Sequence, residues 1–490
     1  MRILSAASEC APFIKTGGLA DVVSALPVAL AAEGAEMRVL LPAYPALAGL
    51  AAKGETALSL RKLHGGPARV VSVRAEGLDL LLLDAPHLFD RPGNPYLAPD
   101  GKDWPDNHLR FGALSAIAAK IAREGVGDWR PDVLHAHDWQ AGLVPAYLKL
   151  GEGASPPSLI TIHNIAFQGV FPADVLTLLD LPKSAFTIGG VEYYGNVSFL
   201  KAGLVYADRI TTVSPTYARE LTAPEFGMGL EGVIAARRTD VRGILNGVDL
   251  DVWNPETDKA LVETYSAGKP KNRRGNRAAL AERFGLDLKK DTPLFCVISR
   301  LTRQKGLDLL LECLPRLLGR GARLAVLGSG DKDLESAFAA AAKAHPGRIG
   351  VVIGYDEALS HLLQGGSDVI VIPSRFEPCG LTQLYGLRYG CLPLVGRTGG
   401  LADTVIDANE AAIADGVATG FQFAPITAAP LGDAIDRACD AYANRTIWKS
   451  MMRRAMRSDV GWDRSAAAYY ALYQELTGMR PEDRAEEETR

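Results

Sequence analysis
Lys15, Arg300, Lys305 and Glu377 stand in this 490-residue chain where fixed charge could serve chemistry. Lys15-Thr-Gly-Gly precedes a helical Ala/Val/Leu pattern. A glycine turn at a helix N-terminus lets backbone N–H groups approach an anion, and an adjacent lysine suits the site to a pyrophosphate. The segment matches neither a Walker A loop nor Gly-x-Gly-x-x-Gly. It returns as Arg397-Thr-Gly-Gly-Leu-Ala-Asp-Thr-Val405, with seven of nine positions identical, as if one device served twice. Ser299-Arg300-Leu-Thr-Arg-Gln-Lys305-Gly306 follows an apolar run, and two cations bracketing that turn could neutralise a departing diphosphate. Ser374-Arg-Phe-Glu377-Pro-Cys-Gly380-Leu381-Thr382 is the most specific segment. Glu377 could accept sugar hydroxyls or stabilise a developing cation, and a helix opening from Gly380 would offer N–H groups to phosphate.

Histidines mark two further strand ends: His135-Ala-His-Asp138-Trp139-Gln140, and His163-Asn164 with Gln168 just beyond. Polar groups at the carboxyl ends of parallel strands face the ligand crevice of open α/β sheets. His135 reads as a hydrogen-bonded structural residue, whereas His163 has polar company. No His-x-x-x-His pair accompanies them, and the Asp249/Asp251 and Asp331/Asp333 pairs fit turn capping as well as ion binding, so no metal is assigned. Tyr96, Trp104 and Trp139 could stack on sugars or fill a core. The six cysteines show no Cys-x-x-Cys spacing, and Cys379 reads as a packed small hydrophobe.

The elements that must position these groups are short apolar runs alternating with helical stretches. The runs fall at 2–6, 37–41, 70–73, 78–83, 132–135, 159–163, 210–213 and 241–245, then at 294–298, 324–327, 350–353, 369–372 and 392–395. Continuous Val/Ile/Leu runs suit parallel strands buried on both faces, and their number predicts two doubly wound sheets. The boundaries predicted are 1–250, 251–460, a helix at 461–478 packing back on the first domain, and a charged flexible tail at 479–490. Lys269–Arg277 reads as a solvated connector or helix start.

Hydrophobic residues make up 48% and charged residues 22%, and 53 Lys and Arg face 57 Asp and Glu for a net charge of −4. That balance argues against a nucleic-acid or membrane-surface binder. No apolar stretch approaches roughly 18 residues, and the first apolar run is too short for a secretory signal, which points to a cytoplasmic protein with reduced thiols.

Taken in order, Lys15-Thr-Gly-Gly-Leu, Ala136-His-Asp-Trp-Gln, Thr161-Ile-His-Asn, Gly243-Ile-Leu-Asn-Gly-Val-Asp, Ser299-Arg-Leu-x-x-Gln-Lys-Gly, Ser374-Arg-Phe-Glu-Pro-Cys-Gly-Leu and Arg397-Thr-Gly-Gly-Leu closely resemble the bacterial glycogen synthase and plant starch synthase family, glycosyltransferase family 5. The resemblance spans about residues 1–478. It implies a GT-B architecture, two Rossmann-like doubly wound domains facing a central cleft. It also implies retaining transfer of glucose from ADP-glucose to the non-reducing 4-hydroxyl of an α-1,4-glucan, without metal or other cofactor. By the same resemblance, Lys15 holds donor phosphate beside Gly17 and Gly18, and Arg300 and Lys305 neutralise the diphosphate. Glu377 holds glucose hydroxyls, while Gly380, Leu381 and Thr382 bind phosphate. Tyr355 meets adenine, Asn246 the donor sugar, and His163 lies beside the anomeric carbon. Asp138, Trp139, Tyr96 and Asn164 fall on the acceptor side. The residues agree in one respect: a retaining glycosidase pairs two carboxylates about 5 Å apart, and no such pair is evident here. Three rivals remain at this stage. A UDP-glucose enzyme would differ in few contacts, a two-Rossmann dehydrogenase would need the missing Gly-x-Gly-x-x-Gly, and a silent glucan-binding protein would not need the cations.

Overall fold
The computed structural model describes residues 1–289 and 291–479, so the tail predicted at 479–490 lies, beyond Met479, outside the described residues. The chain divides into two compact units. The first holds Met1–Val213, Ala218–Asn246 and the chain from Trp462 onward; the second holds Ser214–Tyr217 and Gly247–Gly461.

The first unit carries a nine-stranded sheet. Across it run Val241–Gly243, Arg209–Thr212, Ser158–Ile162, Val133–His137, Arg2–Ala6, Glu36–Pro42, Leu78–Asp84, Gly66–Ala75 and Glu55–Leu63. The first seven are parallel, and most are continuous apolar runs with both faces covered. The last two break the predicted pattern. Gly66–Ala75 pairs antiparallel with Leu78–Asp84 because only Glu76 and Gly77, both at positive φ, join them, and so short a loop cannot make a parallel crossover. Glu55–Leu63 pairs antiparallel at the edge; its polar, half-exposed residues hid it from a search for apolar runs. A three-stranded antiparallel sheet of Val170–Pro172, Asn196–Ser198 and Glu192–Tyr193 was equally invisible, its strands holding two or three residues each.

The helix Asp463–Thr477 belongs to this unit. Trp462, Tyr469, Leu472 and Tyr473 pack with Ile3, Val22, Leu26 and Leu30 in one buried cluster. Burying several large side chains at about 1.5–3 kcal/mol each anchors a helix that no loop chemistry would hold.

The second unit has a six-stranded, wholly parallel sheet in the order Ile349–Ile353, Arg323–Gly328, Leu294–Ile298, Val369–Ile372, Leu392–Gly396 and Phe421–Phe423. Two apolar clusters cover it, one centred on Leu307–Leu318 and Leu431–Tyr442, the other on Leu280, Phe284 and Leu363. The basic run at 269–277 holds a helix start, one of its two readings, with Lys269, Lys271 and Arg274 exposed and Arg273 and Arg277 half-buried. Arg273 donates to the carbonyls of Gly365 and Ser367, and Arg277 pairs with Asp368 at 2.6 Å, stitching the helix Arg273–Phe284 to the sheet.

Candidate functional site
Counted in chain order, the second sheet runs 3-2-1-4-5-6, so its direction of growth reverses between Leu294–Ile298 and Val369–Ile372. Ligands of doubly wound sheets bind outside the carboxyl ends of the strands at such a switch point. The loops leaving those two strands carry Lys305 and Glu377, and Lys305 Nζ meets Glu377 Oε2 at 2.5 Å. Ser374 Oγ donates to the same oxygen at 3.0 Å, and Glu377 is 8% exposed.

The two loops are fastened to each other. Arg375 N–H donates to Gln304 O at 2.9 Å, and Gln304 Nε2 to Phe376 O at 3.2 Å. Arg375 grips Asp308 with two bonds of 2.7 Å, and this partner holds the Asp308 carboxyl below its usual range. Gly306 sits at φ +68°, and a Cβ there would stand 1.9 Å from Pro373 O, so only glycine lets the loops close together.

The second copy of the Thr-Gly-Gly segment has its explanation here. Its helix Gly399–Thr404 lays Gly400 N–H on Pro378 O at 3.0 Å. A Cβ on Gly399, at φ +44°, would reach within 1.9 Å of Glu377 O. The copy thus clamps the backbone that carries Glu377. Beyond it, Gly380 turns at φ +71° and the helix Thr382–Tyr389 opens with Leu381 as N-cap, two residues later than predicted. No side chain caps that end, which leaves its first N–H groups for an anion. Arg300 is exposed. Tyr355 is 81% exposed, with its hydroxyl on Glu357 at 2.8 Å.

The parallel strands of the first sheet reverse between Arg2–Ala6 and Val133–His137. After the first comes Glu9, 2% exposed, which the sequence motifs passed over. Its carboxylate accepts from Thr16 N–H, Thr16 Oγ1 (2.6 Å), Gly17 N–H (3.3 Å) and Tyr96 Oη. Two N–H groups of the Lys15–Gly18 turn are therefore bound internally, and the turn is tied to Tyr96. Burial, reinforced by Glu9, pushes the Tyr96 phenol well above its ordinary pKa. Lys15 pairs with Asp21 at 2.7 Å. Gly17 is extended and a Cβ on it would meet nothing within 4 Å, so neither backbone angle nor packing within the protein demands a glycine there. The helix Gly18–Ala32 begins directly after it, again without a side-chain cap.

After the second strand, Asp138 sits at φ +53° and accepts the His163 N–H at 2.7 Å. Burial pushes its carboxyl up to about 7, against the pull of the His163 and Asn164 N–H groups. Asn164 Oδ1 accepts from Ala166 N–H at 3.0 Å. The strand runs two residues further than predicted, which places His137 inside it along with His135. His135 bonds Tyr473 Oη at 2.8 Å and Thr161 Oγ1 at 2.6 Å, the structural role read from sequence. His137 Nδ1 meets His163 Nε2 at 3.0 Å. Burial lowers His135 and His163 to about 3 and His137 well below its usual value, so all three rings are neutral.

Trp139 is 8% exposed and packs with Phe111 (5.0 Å between centroids), Phe171 and Phe199, so its ring serves the core rather than presenting a stacking face. Asn246 is buried, with Oδ1 lacking any protein partner. The Asp-x-Asp acids make turns: Asp249 Oδ1 accepts from Asp251 N–H at 2.8 Å, and Asp331 precedes the helix Lys332–Ala344. Among the described residues no three His, Cys, Asp or Glu side chains are grouped to hold a metal, and no helix is long and apolar enough to cross a membrane.

With this geometry in place, known proteins can be set beside the chain. Residues 2–236 match the starch synthase catalytic domain family, and residues 280–454 match glycosyl transferases group 1. A glycogen synthase of Roseobacter denitrificans is 64% identical over 478 residues, 98% of this chain and 100% of its own. One from Mesorhizobium japonicum is 56% identical over 480 residues, again 98% and 100%. The catalytic domain of starch synthase IV from Arabidopsis thaliana, solved bound to ADP and acarbose, superposes with a TM-score of 0.83 at 30% identity, covering 97% of this chain and 99% of that one.

Proposed function
The chain belongs to the glycogen and starch synthase family, with the two Rossmann-like sheets of the GT-B class, and from that premise we propose how it acts. It transfers glucose from ADP-glucose to the non-reducing 4-hydroxyl of an α-1,4-glucan, retains the α configuration and releases ADP. The observation that carries this reading is the Lys305–Glu377–Ser374 cluster at the switch point, beside the uncapped helix at Thr382.

The chemistry follows from what each group can do. The C1–O bond to the diphosphate breaks with its electron pair going to ADP, so the developing charge is anionic on phosphate and cationic at C1. Lys305 and Arg300 oppose the phosphate charge, with the N–H groups of Gly380, Leu381 and Thr382 beside them. Within the first unit, Lys15 beside the Gly17–Gly18 turn is an anion contact of its own. Glu377 already accepts from Lys305 and Ser374 through one oxygen. A carboxylate so engaged is a poor nucleophile, and it suits hydroxyl binding and stabilisation of positive charge near C1. Asp138 is likewise committed to the His163 peptide. Without a covalent intermediate on either acid, the acceptor oxygen bonds C1 on the face ADP leaves, and its proton passes to the departing phosphate. His163, Asn164, Asp138 and Tyr96 line the sugar side, Asn246 offers its free Oδ1 to the donor glucose, and Tyr355 presents an exposed ring to adenine. The reading asks for no metal, because fixed cations do that work. The free, buried cysteines accord with a cytoplasmic setting.

Incubation with glycogen and ADP-[14C]glucose, beside UDP-[14C]glucose and with EDTA in parallel, tests this. Incorporation from ADP-glucose that resists EDTA is the expected result. Incorporation from UDP-glucose alone would overturn the donor, and loss with EDTA would overturn the metal-free mechanism.

A further inference from the structure
Ser5, His137 and His163 form a hydrogen-bonded line across three elements of the first unit. Ser5 lies in the strand Arg2–Ala6, His137 ends Val133–His137, and His163 directly follows Ser158–Ile162. His137 is wholly buried and spans the other two: Nε2 to Ser5 Oγ at 3.1 Å, and Nδ1 to His163 Nε2 at 3.0 Å. Its ring is held from behind by His135, 4.1 Å away between centroids, which Tyr473 and Thr161 fix in turn.

A neutral imidazole has one N–H donor and one acceptor nitrogen, so such a line permits two proton arrangements. In one, His163 donates to His137, His137 donates to Ser5, and the Ser5 O–H is left without an acceptor. Ser5 is 1% exposed and has no other side-chain partner among the described residues. An unsatisfied buried hydroxyl costs about 1–3 kcal/mol. In the other arrangement Ser5 O–H donates to His137 Nε2, and His137 Nδ1–H donates to His163 Nε2. Every proton of the line is then satisfied, and His163 must carry its own on Nδ1. That nitrogen has no partner within the protein among the described residues.

We propose that Ser5 and His137 are positioning residues which lock His163 in the Nδ1–H tautomer, so that it presents a fixed N–H donor to a hydroxyl of the bound sugar. This rests on the functional reading for where the sugar lies, but the tautomer itself does not. A rotated or wrong-tautomer His163 would turn a lone pair toward that hydroxyl, disturbing the geometry of the reacting sugar. Misorientation of that kind costs about tenfold or more in turnover.

Two substitutions separate the two nitrogens. In His137→Asn the amide nitrogen takes the place of Nδ1 and keeps the bond to His163. In His137→Gln the amide takes the place of Nε2 and keeps only the bond to Ser5. We expect His137→Gln to lose about tenfold or more in kcat with KM within about twofold, and His137→Asn to recover most of the loss. Equal kcat in the two variants would overturn the proposal. Long-range 1H–15N spectra of 15N-histidine protein, with the His163 signals assigned by their absence from His163→Gln, read the tautomer without any variant of His137. Wild-type His163 protonated on Nδ1 supports the lock, and protonation on Nε2 overturns it even if both His137 variants fail to fold. If instead the tautomer is as expected but the wild type transfers no glucose from ADP-glucose, the functional reading fails and the lock stands.

Discussion
Removing either member of the Lys305–Glu377 pair should do two separable kinds of damage. The side chains are only 17% and 11% exposed and the bond is 2.5 Å long. Breaking a buried pair by deleting one partner costs about 3–5 kcal/mol, because the other charge is stranded. Some water reaches this pair, so about 2–3 kcal/mol is the appropriate figure for Lys305→Met or Glu377→Gln. For a unit of this size that is a fall of about 4–12 °C in the unfolding midpoint. The double substitution leaves no stranded charge and should cost only about 1 kcal/mol, giving a coupling energy of about 3–5 kcal/mol in the double-mutant cycle. Turnover should behave differently. Each single variant loses the phosphate cation or the sugar carboxylate, at roughly 10²–10³-fold in kcat for one such electrostatic contact, and the double variant should be no better. Midpoints by circular dichroism and initial rates with ADP-[14C]glucose on the same preparations supply both readouts. Recovery of turnover in the double variant would refute the reasoning, since it would make the pair a structural staple only. Unchanged midpoints in both single variants would refute the electrostatic half.

Three other outcomes are expected. Gly399→Ala should lower both stability and turnover, since its Cβ would collide with Glu377 O at 1.9 Å, whereas Gly17→Ala should fold with an unchanged midpoint yet raise the KM for ADP-glucose; a normal KM in Gly17→Ala would remove the anion role of that turn. Asp138 has a folded pKa of about 7, above its unfolded value, so its contribution favours the folded state at low pH and is lost as pH rises through 7. Asp138→Asn should accordingly gain stability relative to wild type between about pH 4 and 7, and parallel stability curves would contradict the burial effect. His135 and His163, lowered to about 3, act in the opposite sense: stability should fall as pH drops below about 6.5, where the unfolded rings take up protons. His135→Gln should flatten that part of the denaturant-midpoint profile, and an unaltered slope would count against it.

Five strands of the second sheet and the parallel part of the first were legible because fully buried strands write themselves as unbroken Val/Ile/Leu runs; the sixth, Phe421–Phe423, was not, being three residues long with a polar Gln422 at its centre. Glu55–Leu63 and the small sheet were not, since a half-exposed edge strand needs polar residues on its open face. Lys305, Glu377 and Gly380 were found from local spacing, as loops at strand ends keep their motif in one contiguous stretch. The clamps were hidden for the opposite reason. Glu9 grips Thr16 and Tyr96, and Arg375 grips Asp308 across 67 positions, so a contact of that kind leaves no periodic trace. The repeated Thr-Gly-Gly segment looked like one device used twice. Its two copies share a helix-opening turn but do different work: at 16–18 it lies open beside Glu9, and at 398–400 it is packed against the backbone of Glu377. Trp139 shows how far a residue type can be read. An indole at a strand end suits a sugar platform, yet Gly169 presses so close beneath it that a Cβ would stand 2.3 Å from Cε3.

The account stands most directly on where a newly transferred glucose ends up. Glycogen given a brief pulse of ADP-[14C]glucose by the wild-type chain is then digested from its non-reducing ends by an exo-acting, α-1,4-specific amylase. The label should be released in the first few per cent of digestion, and the Glu377→Gln preparation should incorporate almost none. Label released only with the bulk of the polymer, resistant to the amylase, or incorporated equally by Glu377→Gln would contradict it.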